Sequence, residues 1–551
     1  GLAPNGSRRT NKPGLNQQPP GEGCFFKLPG QNKPHDHQDG PMTTTNEATR
    51  NYTFLGITQC LCPSCLEVIP AKIVARGDRI YFRKRCPVHG LREDFICSDR
   101  KWYDRYDYAL PPKLPKKTFV EPKRGCPLDC GLCSEHEQHT CVAVLEITDN
   151  CNLSCPMCYA DSRPGLKHKS IEQARAAIDT LVRAEGKADV LQISGGEPTT
   201  HPQLLEIIEY ALSQPIDYIM LNTNGIRLAK DQKLVDWLAN HRDRIEIYLQ
   251  FDGTSDAVYE SLRGEPLYET KLRALDKIGA AGLHVTLVAT LQAGVNENEV
   301  GNLVEIARTR PWVSGLSLQP ATYSGRFYLQ EELENRITAP DCIRMLCEQS
   351  NGLYEEGDFF PLPCAHPNCH ILSLAFRVGD DLVPLTRFID AKLNLDLLAN
   401  GLSFTREEGK RLVKQYLSRQ DCCGPSCGPS GCCEPETPAI LGGLPILQSD
   451  SSDGCSTSAN RSIAGQFFEQ ALAKQIGGKQ LFRITITSFL DVYNFDVRRV
   501  MKCCTHHVLP SGHIIPFCAY NVLYRNGHVP LPQLTTSPQQ TAPSPLPADR
   551  R

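Results

Sequence analysis

The chain of 551 residues carries a net charge of −3 and a pI near 6.6, long enough for about two to four domains with buried cores. A balance so close to neutral excludes nucleic acid or an anionic membrane as an obligatory electrostatic partner, and no apolar run reaches the roughly 18 residues of a transmembrane helix. The polar N-terminus is unlike a signal peptide, so the expected location is the cytoplasm, although the chain begins at Gly1 rather than Met.

The cysteines set the domain plan. A secreted disulfide scaffold is usually small, whereas this long chain bunches many of its 26 cysteines in short loops, the pattern of metal binding. Residues 1–46 are rich in Gly, Pro, Asn and Gln and are expected to stay disordered. Over 47–120, Cys60-Leu61-Cys62-Pro63-Ser64-Cys65 and Cys86-Pro87-Val88-His89 flank a hairpin pattern, which predicts a small rubredoxin- or zinc-ribbon-like domain. Cys62, Cys65 and Cys86 are the expected ligands, with His89, Cys60 or Cys97 as the fourth. The metal is one mononuclear Fe or Zn in a structural role. Over 121–141, Cys126, Cys130 and Cys133 precede Cys141, and four thiolates in so short a stretch suit an auxiliary 4Fe-4S cluster, a zinc site being the alternative.

From 142 to 325 short β-branched runs alternate with amphipathic stretches. Strands are predicted at 142–147, 190–193, 218–221, 245–250, 285–290 and 316–318, and helices at 170–184, with Ser170 as cap, and at 268–281. Six such units imply a parallel sheet with helices outside, and ligands at the C-terminal strand ends. At the first of these ends stand Cys151, Cys155 and Cys158, three thiolates that can hold three corners of a cubic iron-sulfur cluster and leave one iron free. A zinc knuckle would need a fourth ligand nearby. Gly195-Gly196-Glu197-Pro198, Asn222 and Asn224, Gln250 and Asp252, and Asn296 follow later strands. Turn formation and helix capping are the simpler accounts of several of these. Arg263 is suited to bidentate pairing with a carboxylate.

Beyond the barrel, 326–531 is expected to form an α+β region holding a second auxiliary cluster, with Cys364, Cys369, Cys518 and either Cys503 or Cys504 as ligands. Prolines on both sides of Cys364 stiffen its loop. The Gly-, Pro- and Cys-rich stretch 421–456 reads as an insertion. A helix is expected over 462–476 and a strand over 481–489. Residues 532–551 read as a disordered tail.

The three-then-two cysteine spacing, the aromatic Tyr159 and the Gly-Gly-Glu-Pro turn resemble the radical S-adenosylmethionine (SAM) superfamily. The N-terminal knuckle, the cluster running into the SAM loop, Pro363-Cys364-Ala365-His366-Pro367-Asn368-Cys369 and the endings at Cys503-Cys504-Thr505-His506 and Phe517-Cys518-Ala519-Tyr520-Asn521 look like the archaeal tetraether lipid synthase family and its bacterial relatives. The resemblance implies an α/β fold built on a partial (βα)6 barrel, a catalytic 4Fe-4S cluster on Cys151, Cys155 and Cys158, bound SAM, two auxiliary 4Fe-4S clusters and the mononuclear metal. It places Gly195, Gly196 and Glu197 at the SAM ammonium, Asn222, Asn224, Gln250 and Asp252 around the SAM and substrate pocket, Arg263 at the SAM carboxylate and Asn296 at the ribose. The reaction it implies is reductive cleavage of SAM and hydrogen abstraction from an unactivated lipid carbon for C-C coupling. Methylation of a lipid, pterin or other carbon is the alternative, and a non-enzymatic iron-sulfur carrier the reading from another class. The expected partners are a lipid or other apolar small molecule, peripheral membrane contact being possible, and a reductant such as flavodoxin or ferredoxin.

Overall fold

The computed structural model describes residues 50–535 apart from 112, 328, 330–331, 380, 388–389, 393–394 and most of 396–479. The expectations for 1–46, for the insertion 421–456 and for a helix over 462–476 therefore lie outside the described residues, save two short strands.

β1 (Thr53–Leu61), β2 (Val68–Arg76), β3 (Arg79–Cys86) and β4 (Gly90–Cys97) form a four-stranded antiparallel sheet in sequence order. Its β2–β3 hairpin turns at Gly77, where φ is +59°.

The barrel follows. β5 (Val142–Thr148), β6 (Ala188–Gly195), β7 (Ile216–Thr223), β8 (Ile245–Gln250), β9 (His284–Leu291) and β10 (Val313–Pro320) pair in parallel, each with the next. The crossovers are α1 (Ile171–Glu185), α2 (Leu204–Ser213), α3 (Gln232–Ala239), α4 (Asp256–Arg263) with α5 (Tyr268–Ala280), and α6 (Val300–Arg308). Ser170 and Gln173 close a capping box at the start of α1. Ile178, Leu181, Ile207, Ile208, Leu275 and Leu303 pack on Leu145, Ile193, Leu221, Ile247 and Leu287 in one continuous core, as a sheet covered by helices requires.

After α7 (Ala339–Gln349) come β11 (Phe360–Pro361), β12 (His370–Val378), β13 (Asp381–Pro384) and the two-residue strands β14 (Ile440–Leu441) and β15 (Leu444–Pro445). β16 (Leu481–Thr487), α8 (Val497–Met501), β17 (Thr505–Val508), β18 (Ile514–Pro516) and a helical segment from Phe517 to Tyr524 complete the described chain. The C-terminal α+β region is continuous with the barrel sheet. β16 pairs in parallel with β10, and β17 in parallel with β5, so both edges of the barrel sheet are extended by later strands. The tail also begins later than expected: Leu534 bridges Val120, and Pro532 accepts a hydrogen bond from His513.

Candidate active site and metal centres

The C-terminal strand ends surround a cavity of about 1920 Å³, its open mouth included, and Cys151, Cys155 and Cys158 line it together. Burial pushes the Cys151 thiol up to about 12 and also raises Cys155, against which the Arg263 guanidinium acts. Three thiols on one wall, Cys151 buried and Cys155 and Cys158 half-buried, are a soft donor set that fits an iron-sulfur cluster once deprotonated.

Backbone contacts hold their loop. Gly196 N donates to Thr148 O at 2.8 Å and Glu197 N to Asn150 O at 2.9 Å. A Cβ on Gly195, where φ is +133°, would lie 2.2 Å from Thr148 O, and one on Gly196 2.3 Å from Asn150 O. These glycines let the turn close on the base of the cysteine loop. From the other side Gly325, at φ +67°, packs against Tyr159 O and Cys158 O. Arg326 then bridges to Cys158 through both backbone groups, with Nε donating to Cys155 O at 2.6 Å and Nη2 to Ser162 O at 2.9 Å. Arg326 was missed because an arginine after a strand carries no spacing signal.

Glu197 is buried and organises protein: its carboxylate accepts from Thr199 N, Thr199 Oγ1, Thr223 Oγ1 and Asn224 N. Asn222 Nδ2 donates to Ser194 Oγ at 3.0 Å, and Asn224 Nδ2 to Asn152 Oδ1 at 2.7 Å beside Cys151, both on the cavity wall. Gln250 lines it too, and donates to Asp252 Oδ1.

Three expectations are corrected. Arg263 pairs bidentately with Asp252 at 2.7 and 2.6 Å and donates to Thr290 Oγ1, so its fork is filled by a protein carboxylate. Asp252 is fully buried in that pair and stands behind the wall. Asn296, also buried, spends both amide hydrogens on Asp252 O and Thr290 O and does not line the cavity. Beneath them Lys271 is completely buried, donates to Asn224 O at 2.6 Å, and is held down to about 8 chiefly by burial. Its place on the apolar face of α5, three residues before Ala274 and seven before Ile278, was the legible sign.

The cavity extends into the barrel. Arg483 on β16 pairs with Glu246 at 3.0 Å, Glu246 accepts from Ser314, and Tyr248 OH donates to Ser317 and accepts from Gln319 Nε2 at 3.1 Å. Opposite, Phe517 packs against Tyr159, and Arg525 pairs with Glu146 at 2.6 Å.

At the knuckle, Cys62, Cys65, Cys86 and His89 present ligand atoms within 4.8 Å of one another. Backbone amides, His89's first, lower the Cys86 thiol to about 6. Three sulfurs and an imidazole fit a tetrahedral zinc or iron. The other two candidates for the fourth position turn away: Cys60 donates to Ile69 O and Cys97 to Asp99 O.

The auxiliary cysteines are grouped differently from their order in the sequence. Cys141 lies with Cys364 and Cys504, their sulfurs within 4.8 Å, and His139 Nε2 is 3.4 Å from Cys141 Sγ. The free thiols of Cys126 and Cys130 are hydrogen-bonded, and Cys126 acts electrostatically on Cys133. Cys369 and Cys518 act electrostatically on Cys503, and Arg499 Nε donates to Cys369 Sγ at 3.3 Å. Cys141 is separated from Cys126, Cys130 and Cys133 because Cys141 N and Val142 N both donate to Cys504 O as β5 begins beside β17. Cys364 groups with Cys141 and Cys504 rather than with Cys369 and Cys518, and Cys503 and Cys504, adjacent in sequence, serve different groups.

The model of the radical SAM superfamily matches residues 145–307, and that of the HMPTM N-terminal zinc ribbon domain residues 54–98. The chain is 32% identical over 500 residues to the 7,8-dihydro-6-hydroxymethylpterin dimethyltransferase of Methanocaldococcus jannaschii, covering 85% of this chain and 94% of that one. The chain belongs to the radical SAM superfamily, in the family of that dimethyltransferase. This radical SAM enzyme is also 28% identical over 179 residues to mycofactocin maturase MftC of Mycobacterium tuberculosis, covering 30% of this chain and 44% of the maturase. Among solved structures, SuiB of Streptococcus suis bound to the precursor peptide SuiA matches 38% of this chain and 45% of its own, at 16% identity and TM-score 0.33. The superfamily implies a 4Fe-4S cluster and SAM, and the three thiols at the strand ends suit the cluster. The finer resemblance to tetraether lipid synthases gives way to a pterin dimethyltransferase as the relative matched nearly end to end. Among the described residues, no helix is long and apolar enough to cross a membrane.

Proposed function

We propose that this radical SAM enzyme methylates a carbon of a pterin or a similar flat, polar heterocycle, with SAM as methyl donor and a small iron-sulfur or flavin protein as reductant. Similarity across 94% of a pterin dimethyltransferase carries the reading. The cavity supports it: Gln192, Asn222, Tyr248, Thr286 and Gln319 supply hydrogen-bonding groups between Val144, Met220 and Val288, suited to a ring with polar edges and apolar faces. A lipid chain would set those polar groups against hydrocarbon, so coupling is the weaker reading.

Cys151, Cys155 and Cys158 would hold the cluster, which when bound would supply the electron for SAM cleavage, radical chemistry that no side chain can supply. The chain's own part is to position and to exclude water. Arg326 and the Gly-Gly-Glu-Pro turn fix the cysteine loop, Asn222 and Asn224 present amides at the rim, and the barrel walls enclose the reacting carbon. Anaerobic reconstitution with iron and sulfide, then dithionite, SAM and 7,8-dihydro-6-hydroxymethylpterin, should give methylated pterin, 5'-deoxyadenosine and S-adenosylhomocysteine by mass spectrometry. Deoxyadenosine without methylated pterin would rule out this substrate, and coupled chains from a lipid diether would replace the reading.

A further inference from the structure

A second, smaller cavity lies beside the first, between the four-stranded sheet, the start of α7 and the C-terminal region. It encloses about 590 Å³ with its mouth, and Pro320, Ala321, Thr322 and Phe489 line both cavities. Its lining residues include two arginines and no carboxylate.

Arg336, only 7% exposed, lines it. Nη2 pairs with Asp491, but Nη1 is buried with no hydrogen-bond partner. A buried guanidinium donor left unpaired is costly, so it points to an acceptor from outside the chain. Asp491 is already committed, accepting from Tyr493 N at 2.9 Å and from Tyr323 N and Asn494 N at 3.2 Å. Arg499, 5% exposed on the same wall, donates to Cys369 Sγ and to Ser488 O, and forms no ion pair with a carboxylate among the described residues. Thr338, Ala339 and Pro340, the first turn of the eleven-residue α7, complete the wall with a helix N-terminus. Asp341, the nearest further carboxylate on α7, is taken up by Thr338 and Arg344.

We propose that this cavity is an anion subsite: Arg336, Arg499 and the N-terminus of α7 bind a phosphoryl or carboxylate group on the substrate whose reacting carbon occupies the main cavity. The proposal rests on the methylation reading for its substrate, but the site itself can be tested without turnover.

The reconstituted enzyme is titrated calorimetrically with inorganic phosphate and with sulfate. Binding is expected, weakened at least 10-fold in Arg336→Gln and by less in Arg336→Lys. Ala339→Glu is a further variant: a carboxylate at the first helical position is favoured by the helix dipole of α7 while repelling an anion, and with an unchanged melting temperature it too should lose at least 10-fold. No binding of either anion, or equal binding in the Ala339→Glu variant, overturns the site. In the methylation assay Arg336→Lys should raise KM for the monophosphate of 7,8-dihydro-6-hydroxymethylpterin several-fold and leave KM for the unphosphorylated pterin unchanged. Equal KM effects would reduce the site to one for free phosphate and overturn its role in substrate binding. If neither pterin is methylated, the reading of the reaction fails while the phosphate titration still decides the site.

Discussion

Arg326 fastens the cysteine loop through donors that reach Cys155 O, Cys158 O, Ser162 O and the Asp161 carboxylate. Each bond from a charged donor is worth about 1.5–3 kcal/mol. Arg326→Ala removes the side-chain donors, while the backbone pairing with Cys158 survives. The variant should fold, reconstitute with less iron, and lose its 4Fe-4S absorbance several times faster under a chelator; an unchanged loss rate would show the clamp to be idle. Cys155→Ala acts on the donor set itself. It should abolish deoxyadenosine formation while leaving the iron or zinc of the knuckle and most auxiliary iron in place, measured as metal per chain. At this scale the sequence made the thiols legible but not their company: Cys503 and Cys504 are neighbours that serve different groups, and Arg263 was assigned a ligand because its partner Asp252 lies eleven positions away on another element.

Elements were easier to read than residues because periodicity reports burial directly. All six barrel strands stand where β-branched runs predicted them, displaced by a few residues at most, since each is buried on both faces. The strands β16 and β17, which extend the barrel sheet on either side, show why the rest was hidden. A strand over 481–489 was expected, but nothing in its alternation says that it will pair in parallel with β10 across a long intervening stretch. Glycine roles were likewise half visible: the Gly-Gly pair announced a close approach, but only the fold shows that what approaches is the backbone of Thr148 and Asn150. Gly195→Ala should therefore act as a structural lesion of the loop, lowering iron content and SAM binding together. A variant with full iron and weakened SAM binding alone would return Gly195 to a direct contact with SAM. In the knuckle, three sulfurs and His89 surround one position, so removing the metal should unfold the four-stranded sheet first, with His89→Ala lowering its melting temperature and leaving deoxyadenosine formation measurable.

Across the whole molecule the helical segment ending near Tyr524 is tied through Arg525 to the first barrel strand. Arg525 and Glu146, 379 positions apart, form a buried pair beneath Tyr159 and Tyr520, with His507 beside it. Burial alone would raise the Glu146 carboxyl, but the Arg525 charge overcomes it and holds the group at about 2. A carboxyl depressed from its unfolded value of about 4.3 contributes stability that is fully present above that value and is lost as pH falls through about 2. The size is about 3 kcal/mol by linkage. Glu146→Gln should therefore lower the melting temperature by a constant amount above about pH 5, and the gap to wild type should narrow as pH falls below about 4. Groups titrating elsewhere act equally on both proteins and cancel in the difference. A gap that stays constant to pH 3 would mean that Glu146 is not ionised against Arg525, and that the closure of β17 onto β5 rests on its strand pairing alone.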